Sequence, residues 1–322
     1  MTDLPLVRTS RELFLSILTG GTDDLETWVI DRMTSAVDEE DVEPGKRLFA
    51  RGEQPEFIFF VRDGRVRLER EGSNPWVFEG RSVIGVFDAL LERPHARTAV
   101  ADTPLHVLKV RIEHWLDLLE ESFGLARAAL ANSVATVAAV EARRWKLDPK
   151  PQGSVLASVP PVEFPLAFVD RLAILAETPL VRGAGIQVLV ELADSVEEVT
   201  FEAGEVIFER EEAREEARGQ PRGQAFLVLE GEAVGDRNDP RLEVSFGPGS
   251  FVGGVASLGD PIIAWQARAV TRVRALSLPL EDWLDHMEEH FDLVRSALSA
   301  LALIRETILD DLAARQGELR LG

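Results

Sequence analysis

The sequence repeats itself: Trp115-Leu116-Asp117, followed by Glu120-Glu121 and Phe123, returns 168 positions later as Trp283-Leu284-Asp285, Glu288-Glu289 and Phe291. The same shift relates further pairs of positions upstream: Ser82 and Ser250, Ile84 and Val252, Gly85 and Gly253, Leu90 and Leu258, and Ala101 and Ala269. Self-similarity at a fixed period indicates a duplicated structural unit. A register that holds over about forty positions predicts two copies of one domain.

The duplication extends upstream with one insertion. The turn Glu43-Pro44-Gly45 corresponds to Glu202-Ala203-Gly204 at a shift of 159, whereas residues 60–64 correspond to residues 227–231 at a shift of 167. The second copy has therefore gained eight residues between these points. The charged stretch 211–222 is predicted to be this insertion and to form an exposed hairpin loop.

Short strand-like runs dominate each copy. They are rich in β-branched or aromatic residues, and Asp63-Gly64 and Glu230-Gly231 lie between two such runs, as hairpin turns do. The pattern predicts a fold that is mainly β with flanking helices, containing two jelly-roll (double-stranded β-helix) barrels in tandem. The predicted organisation is an N-terminal helical segment (1–24), a first barrel domain (25–147), a Pro-rich linker (148–165) and a second barrel domain with a C-terminal helix (166–322).

Composition restricts the class of protein. The chain has 322 residues and no cysteine, which excludes disulfides, thiolate metal sites and cysteine nucleophiles. Its formal net charge of −21 repels DNA, RNA and anionic membrane surfaces at long range. No apolar run of about 18 residues and no signal-peptide pattern is present, so we expect a cytoplasmic protein without a membrane span.

The order of these elements resembles a known family. A helix, a Pro-Gly turn, a barrel, a glycine-containing cassette and a long helix follow one another in the cyclic nucleotide-binding domain of protein kinase A regulatory subunits and of the catabolite activator family. The resemblance covers residues 25–147 and again 168–315. It implies two cyclic nucleotide-binding-type barrels.

The resemblance also implies a phosphate-binding cassette in each copy. In the family a Gly-Glu pair is followed nine residues after the Glu by an Arg; the Glu accepts a hydrogen bond from the ribose and the Arg neutralises the cyclic phosphate. In this sequence Val86 occupies the Glu position and His95 the Arg position, whereas the second copy has Gly254 and Ile263 there. Both anion anchors are therefore replaced twice, and cAMP or cGMP is not expected to be a cofactor.

A variant cassette remains the alternative. The ligand-binding positions that the resemblance implies are Gly85, Val86, His95, Ala96, Arg97, Gly253, Gly254 and Ile263. Arg93 or Arg97 in the first copy, or Arg268 in the second, could supply positive charge from another direction. If His95 receives an anion, affinity should rise at low pH, because imidazole changes its charge between about pH 5 and 8.

Other motifs are weaker signals. His286 and His290 match the His-x-x-Glu-His pattern of some zinc enzymes, but their counterparts Leu118 and Ser122 are not ligands and no third ligand is identifiable, so no metal site is predicted. Residues 247–254 depart from both phosphate-loop signatures. Trp265 could stack on a base, although core packing is the commoner use of a tryptophan. No catalytic constellation is recognised.

The long helical patterns after each barrel suggest how the chain assembles. Both carry an apolar stripe of small and aliphatic residues: Phe123, Ala126, Leu130, Val134, Val137 and Ala138 in the first, and Leu293, Ala297, Ala300, Leu301, Ile304 and Ile308 in the second. Such stripes predict either an intrachain pseudo-dimer of barrels or a homodimer. No DNA-binding helix-turn-helix follows the second stripe.

The sequence favours a non-enzymatic regulatory or scaffold protein that acts through an unknown protein partner. The alternative is a sensor of a cyclic nucleotide or another small anionic ligand through a variant cassette.

Overall fold

The computed structural model describes residue 32 and residues 35–148, 150–155, 157–208, 224–237, 243–253 and 265–321. The predicted N-terminal helices, the inserted stretch 211–222, and the cassette positions Gly254 and Ile263 lie largely or wholly outside these residues. Two compact units divide the chain: residues 1–132 with 305–322, and residues 133–304. The domain boundaries predicted from the sequence, at 24/25, 147/148 and 165/166, stay predictions.

The first unit is built from strands joined by hairpin turns. Its strands are β1 (Val37–Val42), β2 (Arg47–Phe49), β3 (Phe57–Asp63), β4 (Arg65–Arg70), β5 (Ser73–Glu79), β6 (Ser82–Ile84), β7 (Thr98–Ala101), β8 (Leu105–Arg111) and β17 (Leu319–Leu321). They form a four-stranded sheet in the order β1-β8-β3-β6 and a five-stranded sheet in the order β17-β5-β4-β7-β2. Helices α1 (Val86–Leu90) and α2 (Ile112–Glu121) follow β6 and β8.

The core of the first unit is built from strand side chains that alternate between buried and more exposed positions. In β4 the even positions Val66 and Leu68 are buried while their neighbours are half-buried or exposed, as expected for a strand with one face inward. Leu68 pairs with Trp76 across β4 and β5. The C-terminal strand β17 adds to the free edge of β5 in parallel, with Leu319 opposite Trp76. The edge that β5 would otherwise expose is therefore covered by the last residues of the chain.

The second unit has the same strand plan. Its strands are β9 (Glu197–Phe201), β10 (Val206–Phe208), β11 (Gln224–Glu230), β12 (Ala233–Arg237), β13 (Glu243–Phe246), β14 (Phe251–Gly253), β15 (Trp265–Ala269) and β16 (Val273–Pro279). The sheet orders are β14-β11-β16-β9 and β10-β15-β12-β13. Adding eight to each strand number of β1–β8 in the first unit's two sheets reproduces these orders. The predicted duplication and the tandem β-barrel fold are therefore confirmed.

The second unit's helices flank its sheets. They are α4 (Phe168–Ala176), α5 (Ile186–Ser195) and α6 (Leu280–Glu289). The predicted linker is partly held by β-type pairing: Gln152 bridges Ser245 in parallel, and the Gly153 N–H donates to the Ser245 carbonyl at 2.9 Å. Trp145 joins Phe226, Val244 and Phe246 in the core of this unit, and its indole N–H donates to the Gln152 carbonyl at 3.1 Å.

Two long helices pass from one unit to the other. Helix α3 (Phe123–Trp145) begins in the first unit, and helix α7 (Phe291–Gln316) begins in the second unit and ends in the first. Among the described residues, α3 is the one helix whose length and apolar composition would suffice to cross a membrane, a property that core helices of globular domains share. The apolar stripes of both helices are mostly buried within a single chain, including Leu130, Val134, Leu301 and Ile308. Mutual packing of the two stripes stays a prediction.

Candidate functional site

The first cassette begins at a glycine that the backbone requires. Gly85 has a φ of 91° and precedes α1, and a Cβ at this position would lie 2.9 Å from the Phe57 carbonyl oxygen. Residues with side chains rarely adopt such a φ. Val86, at the position where the family has its ribose-binding Glu, is half-buried and apolar. The structure thus places Gly85 and Val86 at the start of the cassette helix, and Val86 offers no acceptor for a ribose hydroxyl.

The centre of the cassette is occupied by a carboxylate of the chain itself. Asp88 Oδ1 accepts a hydrogen bond from Arg93 Nε at 2.8 Å, and Asp88 Oδ2 accepts one from the Ala96 N–H at 3.2 Å. His95 Nδ1 lies 3.2 Å from Asp88 Oδ2. Asp88 and His95 are buried, and the His95 ring stacks on Phe49 with 3.7 Å between ring centroids. His95 and Ala96, both predicted from the resemblance, thus converge on one anion, and that anion is Asp88.

Burial and hydrogen bonding act on Asp88 in opposite directions. Burial by itself raises the pKa of the carboxyl, but hydrogen bonds from His95, Arg93 and the Ala96 N–H outweigh it, so the pKa lies below its ordinary value. The carboxylate is therefore charged at neutral pH, and it complements the donors that surround it.

The end of helix α7 brings two further carboxylates to the same cassette. Glu306 Oε1 accepts a hydrogen bond from Arg93 Nη2 at 2.6 Å. Asp310 Oδ2 accepts one from Arg70 Nη2 at 2.9 Å, and its other oxygen forms an ion pair with Arg97. Each of the three arginines therefore already has an acidic partner within the first unit.

Arg97 is the most enclosed of these arginines. Its side chain is only 3% exposed, and its guanidinium carbon lies 3.8 Å from the centroid of the Trp76 ring. Burial lowers the pKa of Arg97 even though Asp310 opposes this effect, whereas for Arg93 the bonds to Glu306 and Asp88 outweigh burial and raise the pKa. Arg93 and Arg97, which the sequence raised as alternative sources of positive charge, both pair with carboxylates of the same chain.

Sequence reasoning missed Asp88, Glu306 and Asp310. Asp88 interrupts the apolar run Val86-Phe87-Asp88-Ala89-Leu90, and an acidic residue inside such a run is a usable signal of a buried partner. Glu306 and Asp310 gave no such signal, because acidic residues at helical spacing usually face solvent.

The second cassette is described at its first residue. Gly253 ends β14 with a φ of 84°, which parallels the φ of 91° at Gly85. Gly254 and Ile263 lie outside the described residues, and so does the side chain of Trp265. Arg268, considered a source of inward charge, is exposed and donates to Glu243 Oε1 at 3.1 Å. Arg268 therefore pairs with a carboxylate at the surface of the second unit.

The two histidines of the zinc-like pattern lie beside one carboxylate. His286 Nδ1 and His290 Nε2 are 3.7 and 3.8 Å from the same oxygen of Glu191, on α5. Within the described part of the chain, no group of three or more such side chains is arranged to hold a metal ion. Both histidines are partly exposed, and Glu191 is their shared neighbour.

Replacing Asp88 by Asn should destabilise the protein by about 2 kcal/mol at pH 7, because a buried charged acceptor of three hydrogen bonds is lost. A carboxyl whose folded pKa is lowered contributes its stability above the unfolded pKa, near 3.9, and loses it as pH falls through the folded value. The difference between wild type and Asp88→Asn should thus be full at pH 7 and shrink below about pH 4. Urea midpoints at pH 7, 5 and 3.5 measure it.

Asp41→Asn is the matched control for Asp88→Asn. Asp41 has an 88% exposed side chain and pairs with His106 at 2.8 Å, so its loss should change stability by less than about 0.5 kcal/mol. Equal urea midpoints for Asp88→Asn and wild type at pH 7 would show that the buried carboxylate contributes nothing.

Comparison with known proteins identifies the type of the first domain. Residues 39–122 match the family model of the cyclic nucleotide-binding domain. The first unit therefore contains a domain of the cyclic nucleotide-binding type. A comparison with curated proteins finds no match.

The chain is also similar, at low identity, to several solved structures. The regulatory subunit of a cAMP-independent protein kinase A from Trypanosoma brucei is 18% identical, with 88% of each chain covered and a TM-score of 0.36. The regulatory domain of Toxoplasma gondii protein kinase A with cAMP is 15% identical, with 86% of this chain and 92% of that chain covered and a TM-score of 0.32. The sensor domain of the regulator DNR from Pseudomonas aeruginosa is 21% identical over 38% of this chain and 88% of that chain, with a TM-score of 0.34.

Proposed function

We propose that this chain, whose first half contains a cyclic nucleotide-binding-type domain, is a non-enzymatic regulatory or scaffold protein that acts through a protein partner and needs no cyclic nucleotide. The observation that carries the proposal is the Asp88 carboxylate, which accepts hydrogen bonds from Arg93 and Ala96 and lies beside His95. The cassette's anion-binding groups are thereby already engaged by the chain.

An external cyclic phosphate would have to displace these internal partners. Displacement would bury Asp88 beside a second negative group, and like charges in a low-dielectric site repel strongly. It would also leave Val86 facing the ribose, where a carboxylate is needed to accept a hydrogen bond from the hydroxyl group. Losing the partner of a buried charge costs on the order of 2–5 kcal/mol, which weakens affinity by about 30-fold to several thousand-fold.

The pairing of these charged groups also argues for a non-catalytic role. The ionisable groups that converge at the first cassette are paired with one another: Asp88 with Arg93 and His95, and Asp310 with Arg70 and Arg97. A general base needs a lone pair directed at a substrate. Net charge of −21 further favours a protein partner over nucleic acid, and a cytoplasmic location is part of the proposal.

Isothermal titration calorimetry with cAMP and with cGMP at pH 7 tests the proposal. We expect no binding tighter than about 10 µM for either nucleotide, because the phosphate and ribose anchors are both lost. A thermal-shift panel of cyclic mono- and dinucleotides extends the test, since a ligand at 100 times its Kd stabilises by about 2.7 kcal/mol. Sub-micromolar cAMP binding would contradict the proposal.

The second candidate function is a sensor of another small anion through the first cassette. It is favoured by the positions of Arg93 and Arg97, which bring two positive charges to the first cassette, although both are paired with carboxylates of the chain. Binding of a small anion by wild type that disappears in a His95→Ala variant would support this alternative. Unchanged anion binding by His95→Ala would remove His95 from any such site.

A further inference from the structure

The last residues of the chain form a distinct covering of the first cassette. Residues 305–321 comprise the final turns of α7 and strand β17, and they belong to the first unit. Leu309, Leu312 and Leu319 are fully buried, and β17 pairs with β5 in parallel. Asn74 Nδ2 also donates to the Ala313 carbonyl at 2.8 Å. Apolar packing and backbone pairing therefore fix this segment independently of its charges.

The face of this segment toward the cassette is acidic. Glu306 is 8% exposed and accepts from Arg93 Nη2 at 2.6 Å, while Asp310 pairs with both Arg70 and Arg97. The spacing of four residues places both carboxylates on one side of the helix. They approach the arginines as a phosphate group would, because carboxylate and phosphate oxygens accept from guanidinium in the same way.

Three arginines are thus gathered within reach of two carboxylates. The Arg97 guanidinium lies over the Trp76 ring, 3.8 Å from its centroid, and this cation–π contact helps to hold the charge in place. Arg70 and Arg97 converge on opposite oxygens of Asp310, so removal of that carboxylate would leave two like charges facing a common space. Without the Asp310 carboxylate, the two guanidinium groups would attract a multiply charged oxyanion.

We propose that Glu306 and Asp310 form an autoinhibitory contact, a competitor within the chain that withholds Arg70, Arg93 and Arg97 from a dianionic phosphate group. The inference rests on the proposed function, because it explains how the first cassette is kept from external anions. Together with Asp88, these two carboxylates occupy the guanidinium groups that an external anion would otherwise bind. The segment's buried leucines keep this competitor in place without any cofactor.

The test compares two double variants that carry the same charge. Glu306→Gln/Asp310→Asn removes the two carboxylates that face the arginines, whereas Asp311→Asn/Glu318→Gln removes two acids whose recorded pairs are the exposed Arg315 and Arg320. Inorganic pyrophosphate is titrated into wild type and both variants by calorimetry at pH 7.5 and low salt. We expect at least tenfold tighter pyrophosphate binding for Glu306→Gln/Asp310→Asn and less than a twofold change for the control pair.

A third variant assigns any gain to the cassette. Adding Arg93→Gln to Glu306→Gln/Asp310→Asn should abolish most of the gain, and circular dichroism verifies that each variant is folded. If the double variant does not fold, the single Asp310→Asn variant should still bind at least threefold more tightly than wild type. Equal affinity in wild type and the folded variants, or an equal gain in the control pair, would overturn the inference. Tight cAMP binding by wild type would instead overturn the proposed function.

Discussion

Replacing Leu301 by Asp should lower the melting temperature by about 10 °C or more. Leu301 is 3% exposed within a single chain, in the apolar stripe of α7. The substitution removes a buried leucine and places a carboxylate without a partner among apolar side chains, which costs about 4 kcal/mol or more. At about 2–4 °C per kcal/mol for a domain of 150–250 residues, the expected shift is readily measured by calorimetry or circular dichroism.

Leu303→Asp is the control for this experiment. Leu303 lies two positions away on the same helix and is 46% exposed, so its replacement should change the melting temperature by no more than about 2 °C. Light scattering separates the two modes of assembly that the sequence allows. Conversion of a dimer into a stable monomer by Leu301→Asp would show that the stripe covers an interface between chains. A monomeric wild type with a destabilised variant would support burial within one chain.

Replacing Gly64 by Ala should cost about 3–4 kcal/mol and lower the melting temperature by about 10 °C. Gly64 has a φ of 100°, and an added Cβ would lie 2.3 Å from the Pro104 carbonyl oxygen and 2.7 Å from Leu105 Cδ2. The Pro104 carbonyl directly precedes β8, so it cannot move without disturbing the pairing of β8 with β1 and β3. Thermal and urea unfolding of the variant measure the cost.

Gly72→Ala separates backbone strain from the collision. Gly72 also has a positive φ, 75°, but a Cβ there would meet nothing within 4 Å. Its substitution should therefore cost only about 1 kcal/mol, the penalty of the left-handed conformation. Similar losses of stability at the two positions would show that the structure relieves the close approach to Pro104 at no cost in free energy. Gly231 repeats the geometry of Gly64 in the second unit, with a φ of 90° and a Cβ position 2.1 Å from the Arg272 carbonyl oxygen.

Local sequence patterns determined the plan of each barrel. Runs rich in β-branched or aromatic residues indicated the strands, and Asp63-Gly64 with Glu230-Gly231 marked equivalent hairpin turns. In the structure both glycines have a positive φ and lie close to a carbonyl oxygen, which only glycine tolerates. The repeat predicted two copies, and both units have the same strand order. The loss of the cassette's anchors at Val86 and His95 was also visible, because it depends only on residue type at a fixed spacing.

The tertiary structure alone decided what replaced those anchors. Arg93 and Glu306 are 213 positions apart, and Asp310 is equally far from Arg97, so no local period or motif connects them. Their contact depends on α7 ending in the first unit and on β17 completing the β5 edge. The sequence of a helix shows which of its faces is apolar. An acidic residue on that helix, however, can either face solvent or pair with a buried arginine. The tertiary fold decides between these two environments, because packing brings the charged residues together and the ion pair then forms between them.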